Sequence, residues 1–329
     1  MKTAGRNRMI YSAAAACLLA AFAVSLCVGR YPLSPGDIAA ALAGGEGMSA
    51  QVFWRLRLPR SVACLVSGAA MGLSGAVYQA VFGNALAAPD IMGVSGGATL
   101  GAAVSVVFLG GALGQTAAFL GGLLALGASL VLTRASGSRG AAGIVLSGIL
   151  VSALVKTGIM LLKTLADTEG ELAAIEFFTM GSFAGITAAS LPPLLAGVLL
   201  GGAGLFLLRR QVALLTLSDE EAAALGVRVG PVRAAVLALA TLAACAVSAQ
   251  AGVIAFSALI APHGARLLLG GRSRGRLALS MLLGGTLMLV SDVVARLSPG
   301  AELPVSVFTT LMGVPVIALL MIRGGGRDG

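Results

Sequence analysis

Runs of about twenty apolar residues recur along almost the whole 329-residue chain. That recurrence constrains the fold more than any motif does. An α-helix of about 20 residues crosses the roughly 30 Å hydrocarbon core of a bilayer, and in lipid only helices and closed barrels satisfy their own backbones. Ten such segments can be marked: 9–29, 62–82, 93–111, 114–133, 141–162, 190–208, 231–249, 253–270, 277–297 and 304–322. Only 11% of the residues are charged against 58% hydrophobic, too few to coat a surface of this size in water. Barrel strands would give short alternating segments, which are absent. The expected fold is all-α: a polytopic integral membrane protein of about ten transmembrane helices.

The net charge of +9 would on a soluble chain suggest a nucleic-acid partner. Here the arginines sit in short loops rather than along one face, so membrane lipid is the expected surrounding and nucleic acid is not. With the N-terminus inside, the positive-inside rule accounts for most of them. Inner segments hold Lys2, Arg6 and Arg8, then Arg134 and Arg139, then Arg209, Arg210, Arg228 and Arg233. Arg266, Arg272, Arg274 and Arg276 follow, then Arg323 and Arg327. The outer loop 164–188 carries Asp167, Glu169, Glu171 and Glu176 and no basic residue. Both termini then lie in the cytoplasm. Residues 30–61 break the rule with Arg30, Arg55, Arg57 and Arg60 on the outer side. Such a segment is either tolerated, or the sign of a different topology, or a docking surface for an acidic partner. Ten spans divide into five and five, about 1–188 and 189–329, within one transmembrane domain. An odd number per half inverts the second half, as in many transporters. Each half has a small-residue span followed by an Ala-Pro break, Ala88-Pro89 and Ala261-Pro262.

No catalytic set is visible. His263 is the single histidine, and Cys17, Cys27, Cys64 and Cys245 all lie in apolar stretches without metal-ligand spacing. Residues 9–28 resemble a signal peptide after a basic start but lack a small-x-small cleavage site, which favours a retained first helix. A P-loop needs a lysine after a glycine, and none of Lys2, Lys156 and Lys163 follows one. The chain is therefore not expected to be an enzyme or to hold a metal; uphill transport would draw on another subunit or an ion gradient. An ion-coupled carrier usually keeps acidic residues within its spans. Here only Asp292 is a clear candidate, with Asp90 at a membrane edge, and Arg296 stands four residues from Asp292, at ion-pair spacing. Lys156, inside the fifth span, either snorkels to the surface or faces a water-filled cavity that attracts anions. Gly68 and Gly72, Gly93 and Gly97, and Gly97 and Gly101 have the spacing that lets helix backbones approach closely.

In the longest inner segment, 209–230, Ser218 and Glu221 form a capping box, Asp219 and Glu220 favour the positive helix end, and Gly226 can terminate the helix. This short cytoplasmic helix is either a solvated connector or a lever that fits a groove on a soluble motor.

Several blocks in a fixed order resemble the FecCD family of ABC-importer permeases, from about Tyr31 to Arg323. They are Arg57-Leu-Pro-Arg60; Gly68 to Gln79; Asn84 to Ala98; Met180-Gly-Ser182; Leu217 to Val227; Gly252 to Arg266; Ser291 to Arg296; Glu302-Leu-Pro304; and Gly313-Val-Pro315. The resemblance implies import of a ferric siderophore, haem or cobalamin across a bacterial or archaeal cytoplasmic membrane. It implies a second permease chain, two cytoplasmic ATP-binding subunits and an extracytoplasmic binding protein, with ATP and Mg held by the partner ATPase and no cofactor on this chain. Arg57, Arg60 and Arg296 match arginines that dock the binding protein. Leu217, Ser218, Asp219, Glu220, Glu221, Leu225 and Gly226 match the helix that couples to the ATPase. Asn84, Leu86 and Ser138 match a cytoplasmic gate. Two positions depart from the pattern: Ala85 stands in place of a proline and Gly83 in place of an arginine, which leaves the gate turn less rigid.

Overall fold

The computed structural model describes residues 2–137, 141–167, 170–270, 275–299 and 302–324. Fifteen α-helices follow one another. They are α1 (Lys2–Cys27), α2 (Pro35–Leu42), α3 (Met48–Val52), α4 (Leu58–Phe82), α5 (Val94–Leu109), α6 (Gly114–Ala135), α7 (Ala141–Leu165) and α8 (Glu171–Met180), then α9 (Leu191–Leu207), α10 (Arg209–Leu214), α11 (Asp219–Ala224), α12 (Val229–Ala251), α13 (Ser257–Leu269), α14 (Arg276–Leu297) and α15 (Val305–Gly324). Each of the ten expected segments coincides with one of these. Seven helices among the described residues are long and apolar enough to cross a membrane. A π-helical turn, Phe53–Arg57, joins α3 to α4, so the helical path runs unbroken over Met48–Phe82.

The centre is built from α4, α12 and α14, with α13 and α9 against them and α1 lying on α14. The halves of the chain therefore interleave rather than form two lobes. Glycine makes the close contacts. A side chain at Gly68 would run into the Gly284 carbonyl, one at Gly72 into that of Ser280, and one at Gly75 into that of Ala258. The α5–α6 pair repeats the device, with Gly97 and Gly101 facing the carbonyls of Gly121 and Ala117. In lipid, apolar side chains gain nothing by leaving the solvent, so this close packing must hold the helices together.

The second expected break lies elsewhere. Ala261 and Pro262 sit inside α13, whereas Pro89 opens a 3₁₀ turn, Pro89–Met92. The chain instead leaves helical geometry at 252–256, where Phe256 takes φ 60°, the one positive φ of a non-glycine among the described residues. This shortens α13 to 13 residues, about 20 Å, too short to span the core alone. The freed backbone is satisfied by neighbours, as burial in a membrane requires. Ser182 N donates to Ala251 O at 2.8 Å and Val253 N to Phe178 O at 3.2 Å. Ser306 Oγ donates to Val253 O at 2.8 Å.

Candidate functional site

Three sets of expected functional residues fall at two ends of the bundle. The first set gathers where the end of α1, the start of α4 and the end of α14 meet. Asp292 is fully buried and holds two arginines. Arg60 donates to Asp292 Oδ1 from Nε at 3.0 Å and from Nη2 at 2.8 Å. Arg296 Nη2 lies 3.0 Å from Asp292 Oδ2. Arg60 Nη1 reaches Glu302 at 2.9 Å, at the more open edge. Arg296 also donates to Ser25 O at 3.0 Å and to Ser25 Oγ at 2.7 Å, which tie α1 to α14. Arg57, in the π turn, donates to Val28 O at 2.6 Å and Tyr31 O at 3.1 Å.

The three expected docking arginines differ in their exposure and partners. Arg57 and Arg296 are 7% and 3% exposed, so they do not form an open basic surface; Arg296 is paired with Asp292, whereas Arg57 is held by the backbone carbonyls of Val28 and Tyr31. Only Arg60, with Glu302 over it, borders the outside of the cluster. The Asp292–Arg296 pair is present at its expected spacing. Sequence spacing missed Arg60, Glu302 and Ser25 as its partners. The one available signal was the position of arginines in a segment where the charge rule disfavours them.

At the opposite end, Gly83 closes α4 in the left-handed region, φ 59°. Asn84 Oδ1 accepts a hydrogen bond from Leu86 N at 2.9 Å, and Ala87 N donates to Asn84 O at 3.2 Å. The side chain thus builds the turn that a proline at position 85 would otherwise stiffen. Leu86 is exposed. Ser138 lies outside the described residues. A cavity of about 530 Å³ opens beside the turn, lined by Phe82, Asn84, Ile91, Val145, Leu146 and Ile149. A second cavity of about 510 Å³ lies by the 252–256 break, with Gln115, Phe178, Ser182 and Gln250 on its wall and no charged residue. Gln250 Nε2 donates to Gln115 Oε1 there at 3.3 Å.

The third set is α11. It is shorter than the 217–227 segment because Leu217 and Val227 fall in its flanking turns. The capping box is present: Glu221 N donates to Ser218 Oγ at 3.2 Å and Ser218 N to Glu221 Oε2 at 3.0 Å. Gly226, at φ 85°, turns the chain out of the helix. Asp219 accepts from Arg233 Nη2 at 2.5 Å and Nη1 at 3.2 Å, a two-pronged clamp onto the N-terminal part of α12. The Arg233 hydrogen bonds hold the Asp219 carboxyl below the usual range. Arg233 is buried while Glu220, Glu221 and Leu225 are exposed, so α11 is rigidly joined to a long helix and presents its other side outward. Sequence analysis counts Arg233 only among the inner basic residues; its pairing with Asp219, fourteen positions away, follows no local spacing rule. The described residues hold no group of three or more His, Cys, Asp or Glu that could bind a metal.

Known proteins share this fold. The chain is 36% identical to the molybdate import system permease protein MolB of Haemophilus influenzae over 93% of each chain. It is 34% identical to the achromobactin transport system permease protein CbrC of Dickeya dadantii, over 93% of this chain and 89% of that one. Among solved structures, a metal-chelate-type ABC transporter in an inward-facing conformation superposes with a TM-score of 0.85 at 33% identity, covering 96% of this chain and 99% of that one. A family model matches residues 17–323, the whole bundle from within α1 into α15, and on that match the chain belongs to the FecCD transport family.

Proposed function

We propose that this chain is the membrane-spanning permease of an ATP-driven importer that carries a pre-formed metal complex into the cytoplasm. The likeness to an inward-facing metal-chelate transporter over nearly the full chain carries this reading. In it, ten helices cross the cytoplasmic membrane as two inverted sets of five, with both termini inside. A second permease chain, most simply an identical copy, completes the pathway. Separate subunits bind ATP and Mg, and α11 docks on them. The clamp between Asp219 and Arg233 transmits their motion to α12. Asn84 and Leu86 guard the cytoplasmic exit, together with Ser138.

A loaded binding protein docks outside. Arg57 and Arg296 frame the rim, and Arg60 is the arginine that a partner carboxylate reaches, by displacing Glu302. The cargo enters with its metal already coordinated, because the described residues offer no ligand set for a bare ion. A ferric siderophore is our first choice, with haem and cobalamin as alternatives; the molybdate specificity of one relative extends the range to a metal oxyanion. An ion-coupled carrier fits less well, since Asp292 is locked between two arginines. The test is the ATPase rate of the partner ATP-binding subunit, co-purified with the chain. Reversing Glu220 and Glu221 to Lys should lower its affinity for the chain and its binding-protein-stimulated rate. Unchanged binding and stimulation would remove the docking role of α11.

A further inference from the structure

We propose that the exposed stripe of α7 that bears Lys156 faces a water-filled path, and that Lys156 draws negatively charged cargo along it toward the cavity beside Asn84. The idea rests on the importer reading for its direction of travel, but its geometry is independent of it. Helix α7 buries one face, that of Ile144, Ser147, Gly148, Val151, Val155 and Leu162. Lys156 is on the other, exposed, and has no ion-pair or hydrogen-bond partner among the described residues.

Lipid is a poor surrounding for it. The ammonium belongs to a residue nine positions before the end of α7 at Leu165, about 14 Å along the axis at 1.5 Å per residue. Set upright and centred, a 25-residue helix overhangs a roughly 30 Å core by about 4 Å at each end, which would leave Lys156 about 10 Å inside the hydrocarbon boundary. An extended lysine stem reaches only about 6 Å, so snorkelling falls short of the boundary. A charged lysine in that region is among the least favourable side chains to expose to lipid, and such residues face the bundle interior or water.

The cavity beside Asn84 gives the second line. Val145 and Ile149 of α7 are on its wall. Lys156 follows Ile149 by seven residues and Val145 by eleven, which puts it within about 20° of both on the helix surface. It therefore stands on the same stripe, about 10 Å farther along from Ile149. No Asp or Glu occurs in α7, so nothing on this stripe offsets the charge. An uncompensated cation on a low-dielectric wall raises the local concentration of anions. The cargo class it fits is an anionic metal complex or oxyanion rather than a neutral one.

The test uses the complete transporter in proteoliposomes, with the four native cysteines replaced by alanine. Two water-soluble thiol reagents serve as probes: anionic sulfonatoethyl and cationic trimethylammonioethyl methanethiosulfonate. Lys156→Cys should react with both. Ile149→Cys, with Lys156 retained, should favour the anionic reagent relative to free cysteine. Lys156→Gln should abolish that preference, and Lys156→Glu should reverse it, moving the anionic-to-cationic rate ratio by about three- to tenfold from the Lys156 value. Silence at position 156, or a ratio at 149 indifferent to the charge at 156, would overturn the proposal. ATP-dependent uptake in the same vesicles separates the two claims. If uptake persists while labelling fails, only the role of Lys156 falls. If labelling succeeds while uptake ignores ATP, the importer reading falls and the path stands.

Discussion

Replacing Asp292 by Asn should be the most damaging isosteric change in the molecule. The side chain keeps its shape and loses its charge, so the cavity term is small and the electrostatic one dominates. The carboxylate accepts three charge-assisted bonds, two from Arg60 and one from Arg296. At about 1.5–3 kcal/mol each, their loss would approach about 4–9 kcal/mol. Part is recovered. The amide oxygen still accepts one bond, Glu302 still holds Arg60, and Arg296 keeps Ser25. The net loss should be about 3–5 kcal/mol, the range for breaking a buried pair from one side. Unfolding of purified protein by sodium dodecyl sulfate in mixed micelles measures this. Glu302→Gln is the matched control, because that carboxylate is partly solvated and should cost less than about 1 kcal/mol. Adding Arg296→Met to Asp292→Asn should restore part of the stability by removing an uncompensated cation. An Asp292→Asn chain as stable as the Glu302→Gln one would refute the buried network as the clasp between α1, α4 and α14.

Three other outcomes are expected. Gly75→Leu places a side chain against the Ala258 carbonyl, so α4 and α13 must separate, with a loss of about 1–3 kcal/mol in the same unfolding assay. Asp219 has its carboxyl pKa lowered by Arg233, so the stability it adds is present above the unfolded value of about 3.9 and lost as pH falls through the folded one. Hydrogen exchange should show α11 amides opening below about pH 4, and the same opening in Asp219→Asn at pH 7, modest because Asp219 is half exposed. Glu302→Gln should speed or tighten binding-protein docking by leaving Arg60 Nη1 without its carboxylate partner, and Arg60→Glu should weaken it, as read by surface plasmon resonance.

Much of this architecture is legible in the sequence because the bilayer sets helix length. All ten apolar segments became helices. The Asp292–Arg296 pair and the Ser218–Glu221 capping box were readable too, since both are set by spacings of three or four residues within one turn. What failed was long-range or depended on backbone detail. Arg60 joins Asp292 across 232 positions and Arg296 meets Ser25 across 271, and no local pattern encodes such contacts. Pro262 was misread as a break. A proline deprives the Ala258 carbonyl of its helical donor, and that carbonyl is the one against which Gly75 packs. The actual break begins at Gly252, where Phe178, Ser182 and Ser306 supply the missing partners. Ala85 lacks the ring that would stiffen the turn, and the Asn84 side chain spans it with one hydrogen bond.

Uptake into proteoliposomes containing this permease, its ATP-binding subunit and the loaded binding protein tests whether the motor is on another chain. Accumulation of a radiolabelled ferric siderophore or molybdate should require ATP and Mg, stop when the catalytic glutamate of the partner ATPase is changed to Gln, and be indifferent to ionophores. Uptake that continues without the ATP-binding subunit and collapses with an ion gradient would contradict the account.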